Sequence, residues 1–271
     1  MTRVVAVANQ KGGVGKTTSA VNLAAALSEM GQRVLVIDLD PQGNASTALG
    51  VEHRLGVVGT YEVLIDGKSI GDASYPCPDV AGVEAVPATI DLAGAEIELV
   101  STVAREYRLR RALEAHATDA TPVPDVILID CPPSLGLLTL NALVAASEIL
   151  IPIQCEYYAL EGLGQLLKTV ELVRAHLNPN LEVSAILLTM ADARTRLSAQ
   201  VAEEVRAHFG EAVLATSIPR AVRLSEAPSY GQTVLTYDPQ STAAQAYRDA
   251  AAEFLARSST AQAELSTAGD A

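Results

Sequence analysis

Ten residues, Asn9 to Thr18 (Asn-Gln-Lys-Gly-Gly-Val-Gly-Lys-Thr-Thr), constrain this chain more than any other stretch. Before them runs Val4-Val5-Ala6-Val7-Ala8, which reads as a buried strand. After them, from Ser19 to Met30, Ala20, Leu23, Ala24 and Leu27 recur at helical spacing. A strand, a glycine-rich turn and a helix start are the setting of a phosphate-binding loop. The helix start offers unpaired N–H groups and a partial positive charge, and phosphate oxygens accept both. Gly12, Gly13 and Gly15 let the backbone approach a ligand with no Cβ in the way. Gly15-Lys16-Thr17 fit the pattern G-x-x-x-x-G-K-[ST], but its first glycine falls on Gln10, and a second lysine, Lys11, lies inside the loop.

Two more apolar runs end in acids. Arg33-Val-Leu-Val-Ile-Asp38 delivers Asp38-Leu-Asp40-Pro-Gln-Gly-Asn44 to a strand's carboxyl end, where open α/β sheets bind ligands. Two carboxylates one residue apart also suit a plain Asp-Pro turn. Asp125-Val-Ile-Leu-Ile-Asp130 is a third buried strand, and near a phosphate loop its terminal acid suits a magnesium site. Further strands are expected at 149–153, 183–190 and 213–218, and helices at 137–147, from Gly162 to His176, and at 198–209. Alternating strands and helices predict an α/β fold: a three-layer sandwich with a mostly parallel central sheet and helices on both faces.

The rest is less informative. Between 45 and 102, short helices at Tyr61–Ile65 and Leu92–Leu99, a strand at 84–88 and a loop at Pro76 and Pro78 are expected, without assignable chemistry. A helix over 103–117 carries Arg105, Arg108, Arg110 and Arg111 with Glu106 and Glu114 interleaved, as a solvated face or a phosphate-binding one. Thr118 to Pro124 reads as a linker inside one domain, 1–256. A last amphipathic helix should run from Ser241 to Ala256, followed by a disordered tail, 257–271. Four arginines, Arg194, Arg196, Arg220 and Arg223, fall in two segments read as loops, where ordinary surface charge is one explanation. Glu156 taken alone is polar surface.

Of the 271 residues 49% are hydrophobic, ample for a core, and only 4% are aromatic. The net charge of −13 argues against coating DNA over the whole surface, so any nucleic-acid contact needs a local patch. Cys77, Cys131 and Cys155 have no Cys-x-x-Cys spacing, which suggests a reducing cytoplasm rather than a disulfide framework. No apolar run is long enough to span a membrane, and no signal peptide precedes the first strand.

The loop Lys11-Gly-Gly-Val-Gly-Lys16-Thr resembles the deviant Walker A motif of the ParA/MinD/nitrogenase-iron-protein class of P-loop ATPases. Asp38-x-Asp40-Pro-Gln-Gly-Asn, Cys131-Pro-Pro-Ser-Leu-Gly136, Asp192-x-Arg194-Thr and Ile218-Pro-Arg-x-Val-Arg-Leu-Ser-Glu-Ala-Pro228 look like ParA signatures in their expected order. The resemblance covers about residues 3–256 and implies an ATPase of the ParA/Soj family using ATP and Mg²⁺. In that class ATP is sandwiched between two subunits. Gly12, Gly13, Val14 and Gly15 would cradle phosphates, Lys16 would lie on the β- and γ-phosphates, and Thr18 on the α-phosphate. Thr17 would ligate Mg²⁺, with Asp130 acting through water and Asp38 supporting the shell. Asp40 would orient the attacking water, and Lys11 would reach the partner's ATP. Glu156 would contact ribose or the interface, and Pro219 would line the adenine pocket. Arg194 and Arg223, assisted by Arg196 and Arg220, would bind double-stranded DNA without sequence preference. A ParB-like centromere-binding partner, often acting through a short basic peptide, would stimulate hydrolysis.

The implied activity is DNA partitioning by a nucleoid-associated cytoplasmic homodimer. A chain starting at its first strand is expected to lack an N-terminal DNA-reading extension, so operator-specific repression is not expected. A MinD-like membrane ATPase would need a basic amphipathic C-terminal helix, whereas the tail after Phe254 has one Arg and no Lys. A metabolic P-loop ligase or kinase would need a substrate pocket, for which 45–102 is the remaining room. No cysteine pair suits an iron–sulfur cluster.

Overall fold

The Val-, Ile- and Leu-rich runs become neighbouring strands of one sheet. The computed structural model describes residues 2–119, 122–156, 159–192 and 194–268, with 159–162 and 258–268 described as backbone only. The strands are β1 (Arg3–Val7), β2 (Val34–Asp38), β3 (Tyr75–Pro76), β4 (Val83–Val86), β5 (Val126–Asp130), β6 (Glu148–Gln154), β7 (Glu182–Ala191) and β8 (Val213–Pro219). The helices are α1 (Lys16–Glu29), α2 (Asn44–Ala48), α3 (Thr60–Leu64), α4 (Ile70–Ala73), α5 (Leu92–Val100) and α6 (Arg108–Asp119). They continue as α7 (Leu137–Ala145), α8 (Ala159–His176), α9 (Arg196–Phe209), α10 (Val222–Glu226), α11 (Val234–Tyr237) and α12 (Thr242–Ala268).

The sheet order is β3-β4-β2-β5-β1-β6-β7-β8, parallel except for the antiparallel edge pair β3–β4. Strands β2 and β5 are buried at every position, as a parallel sheet covered on both faces requires. One face packs on Leu64, Leu92, Leu99, Leu109, Leu138, Leu163 and Val201 of the helices from α3 to α9. The other packs on α1 and α12, with Leu23, Leu27, Tyr247 and Phe254 at its centre. The chain winds outward from β1 to β2 and β4, returns to β5, then leaves the other way through β6, β7 and β8. Winding therefore reverses around β1, and crevices form there at the strands' carboxyl ends.

Several expectations change. Pro76, read as loop, pairs with Glu84 in β3–β4. The helix expected from 103 is interrupted by Ala104, at φ +51°, and a 3-10 turn at Arg105–Tyr107 precedes α6. Thr118 and Asp119, read as linker, still belong to α6, since no glycine or proline stops it sooner. The last helix continues past Ala256 to Ala268, through an Ala-rich stretch free of both residues. Residues 269–271 of the expected tail lie outside the described residues.

Candidate nucleotide site and arginine rim

The loop after β1 is held from below by two side chains. Asn9 is buried, donates through Nδ2 to the Pro152 carbonyl at 2.8 Å and accepts the Lys11 amide at 3.0 Å. Thr189, near the end of β7, donates through Oγ1 to the Val14 carbonyl at 2.8 Å. Gly13 and Gly15 have φ of +75° and +86°, a backbone region that suits glycine, and Gly15 turns the chain directly into α1. Lys16 is buried and donates to the Lys11 carbonyl at 3.2 Å. Burial pulls its ammonium below the ordinary lysine pKa, and the nearby Asp130 charge offsets this in part.

The acids meet the loop through sheet register. Asp130 pairs with Val7 on one side and with Asp38 on the other, so both carboxylates lie beside the loop's root. Asp38 is fully committed: Oδ1 accepts the Asp40 amide at 3.1 Å, and Oδ2 accepts Ser46 N and Oγ at 2.8 and 2.7 Å. Burial still pushes its carboxyl up to about 6. Asp40, also buried, accepts the Gln42 amide at 3.0 Å. Asp130 is buried, and among the described residues neither of its carboxylate oxygens has a hydrogen-bond partner. Burial, then the Asp38 charge, raises its pKa well above the carboxylate range, while Thr17 and Lys16 nearby offset part of the rise. A charge-bearing group left this way is expensive unless a cation arrives.

A cavity of about 480 Å³ opens beside the start of α1. Thr17, Thr18, Asn44, Met190, Pro219 and Leu224 are among its lining residues, and Met190 carries φ +52°, uncommon for a side chain of its size. Pro219 therefore faces the same space as the loop threonines. Glu156 instead lies between two cations, 3.7 Å from Lys11 Nζ and 3.6 Å from Arg220, and also accepts Gln154 Nε2.

Strands β7 and β8 are parallel neighbours, so the segments after them share this edge, and Arg220 N bonds the Ala191 carbonyl at 3.1 Å. All four arginines fall on these segments, but not all in loops: Arg196 opens α9 and Arg223 lies on α10. Arg194 chelates Asp192 with two 2.9 Å bonds. Arg223 meets Glu226 at 2.9 Å and Asp238 at 3.5 Å, with its guanidinium 5.8 Å from the Tyr237 ring centre. Exposed pairs like these are worth ~0–1 kcal/mol and can be exchanged for phosphate. By contrast, Arg108 is spent on the Leu64 and Ile65 carbonyls, and Arg110 on Glu114.

Asn9, Ser46 and Thr189 received no role from sequence.

The AAA domain family model matches residues 2–183. The sporulation initiation inhibitor protein Soj of Bacillus subtilis is 54% identical over 256 residues, covering 94% of this chain and 99% of the relative. The chromosome partitioning protein ParA of Caulobacter vibrioides is 51% identical over 262 residues, 97% of each chain. Among solved structures, cobyrinic acid a,c-diamide synthase from Mycobacterium smegmatis with bound ADP and magnesium is 43% identical, with a TM-score of 0.78 over 93% of both chains. Motif order, sheet order and these likenesses agree: the chain belongs to the ParA/Soj family of chromosome-partitioning P-loop ATPases.

Proposed function

We propose that this chain partitions DNA by an ATP-driven cycle. ATP closes a sandwich homodimer, the dimer holds double-stranded DNA without sequence preference, and hydrolysis stimulated by a ParB-like partner lets go. The supporting observation is the buried, unpartnered Asp130 carboxylate in register beside the loop that carries Lys16. The hard oxygen donors of Thr17 and Asp130 fit Mg²⁺. Held by Thr17 directly and by Asp130 through water, the ion would neutralise charge on the β- and γ-phosphate oxygens.

The chain's own groups supply positioning and charge. Lys16 and the backbone of Gly12 to Gly15 grip the phosphates, and Thr18 holds the α-phosphate. Pro219 packs on the base. Asp40 aligns the water. Asp38, its oxygens already filled, holds the Asp40 amide and Ser46 in place. Lys11 leaves Glu156 to reach the partner's nucleotide, which frees Glu156 for a ribose or interface contact. Arg194, Arg196, Arg220 and Arg223 of two subunits then form one basic surface on the nucleoid.

The test is ATP turnover with and without nonspecific DNA and a ParB-like protein, together with DNA retention in ATP and Mg²⁺. Stimulation and ATP-dependent retention are expected. Turnover indifferent to DNA, with no retention, would refute the reading; ATP-dependent sedimentation with lipid vesicles would favour the MinD-like one.

A further inference from the structure

The arginine-rich helix α6 turns one side to a cavity of about 370 Å³ that no step of the proposed cycle uses. Residues 108, 111, 112, 115 and 119 of α6 recur at helical spacing and form one wall. The turn from Gly67 to Ser69, between α3 and α4, lies opposite. Leu109 and Leu113 of α6 are buried in the core, which fixes the side that faces the cavity. Ala112 and Ala115 are short, so the wall between the charged residues stays open.

The lining brings three cations, Lys68, Arg108 and Arg111, together with one acid, Asp119, in a chain of net charge −13. Arginines elsewhere on this surface are matched to carboxylates, as Arg3, Arg33 and Arg248 are. Among the described residues none of the three cavity cations has such a partner. Arg108 is also held in place. Its Nε and Nη2 donate to the Leu64 and Ile65 carbonyls at 2.6 and 3.0 Å, which fixes the guanidinium plane. Its Nη1 has no acceptor among the described residues. Ser69 Oγ accepts the Asp72 amide at 3.0 Å and keeps its own proton to donate. Burial holds the His116 imidazole below its ordinary pKa, against the charges of Glu84 and Asp119, so at neutral pH the ring offers one N–H and no charge.

We propose that this cavity binds a small anion bearing a diphosphate group, at a second site separate from the phosphate loop. Guanidinium forks and an ammonium suit phosphate oxygens, and three converging cations call for a ligand with several negative charges rather than a single carboxylate. A nucleic-acid strand would need cations spaced along a track, whereas these donors meet in one basin. The volume falls in the range of small-molecule sites. His116 also lines the neighbouring space beside Arg33 and Val34, at the start of β2. The basin therefore extends towards the amino ends of the strands, away from the phosphate loop and the arginine rim at their carboxyl ends. Its occupancy does not depend on the function proposed above.

The test titrates inorganic pyrophosphate into the nucleotide-free full chain in EDTA at neutral pH and follows the histidine ring signals by NMR. His116 reports the cavity. His53 reports the nucleotide site, because its Nε2 lies 3.0 Å from Thr47 Oγ1 and Thr47 lines that cavity. A saturable shift of the His116 ring is expected. Lys68→Glu and Arg111→Glu should each weaken it about tenfold or more, as losing one charge-assisted hydrogen bond implies. Lys168→Glu on α8 makes the same change of charge elsewhere and should leave it unchanged. Lys68 and Arg111 are exposed, so both variants should melt as the wild type does. No His116 shift at millimolar pyrophosphate, or a shift of His53 alone, would overturn the proposal. So would equal weakening by Lys168→Glu, which would mean general charge attraction, or displacement of pyrophosphate from His116 by duplex DNA, which would make the basin part of a nucleic-acid surface. None of these readouts requires ATP, DNA retention or hydrolysis, so they stand apart from a failure of the proposed function.

Discussion

Two buried carboxylates abut across β2 and β5, and in the nucleotide-free chain they oppose folding. Burial raises both pKa values, that of Asp38 to about 6 and that of Asp130 well above the ordinary carboxylate range. An acid whose folded pKa is raised contributes stability below its unfolded pKa and loses it as pH rises through the folded value. In EDTA and without nucleotide, stability should therefore fall from about pH 4 upward. Asp130→Asn removes the orphaned charge and should stabilise the chain at pH 8 by at least ~1 kcal/mol, with the gain shrinking towards pH 5. Thermal melts across pH check this; a loss of stability at pH 8 would contradict it. The same variant should weaken Mg²⁺-nucleotide binding. Asp40 differs, since among the described residues its carboxylate accepts one hydrogen bond, from the Gln42 amide in the turn. Asp40→Ala should cost ~1 kcal/mol of stability yet slow hydrolysis ~10²–10⁴-fold if it aligns the water. ATP-bound dimers should then persist on DNA, and single-turnover assays with retention measurements would show both effects.

The phosphate loop keeps its shape because strands other than its own hold it. Thr189 of β7 bonds the Val14 carbonyl, and Asn9 reaches Pro152 of β6. Thr189→Val preserves side-chain shape and deletes the donor, at a cost of ~1 kcal/mol. If that bond pre-organises the loop, ATP affinity should fall roughly fivefold, with melting little changed; calorimetric titration beside a melt separates the two. Supports of this kind explain what the sequence could reveal. That Lys16, Asp40 and Asp130 would lie at one end of the sheet was legible, because Lys16 opens the helix after one apolar run and the two acids follow or end two others. Asn9, Ser46 and Thr189 were not, because their partners lie elsewhere in the chain or in a turn whose shape is set by the fold. Helix α5 was visible as an apolar stretch, but only its packing distinguishes the buried side from the bare one. Helix α10 was read as loop because Pro219 and Pro228 bracket a segment too short for periodicity to show. The strands of the sheet's middle were read nearly to their ends, since burial on both faces leaves little but Val, Ile and Leu.

At the scale of the molecule, a chain of net charge −13 holds DNA only where its cations converge. The segments after β7 and β8 put four arginines on the nucleotide edge, but acids occupy Arg194, Arg220 and Arg223 in the lone subunit. Charges beyond about 8 Å are screened at physiological salt, so the remaining negative surface matters less than this local contest. In the proposed cycle, pairing two subunits would double the cations within reach of one duplex, which would link the patch to Lys11. Lys11→Ala should still bind ATP through Lys16, yet remain monomeric with a non-hydrolysable analogue and lose DNA with it, as light scattering and retention would show. Arg223→Glu should separate the two properties, with dimerisation intact and DNA binding weakened. With ~6–10 phosphate contacts per dimer, wild-type affinity should drop ~10³–10⁵-fold between 50 and 200 mM salt. Removing one arginine from each subunit should lower the slope of log affinity against log salt by about two. A salt slope unchanged by Arg223→Glu would place the DNA on another face. A slope reduced by about one would mean that a single subunit carries the contact, and pairing would then contribute nothing to DNA binding.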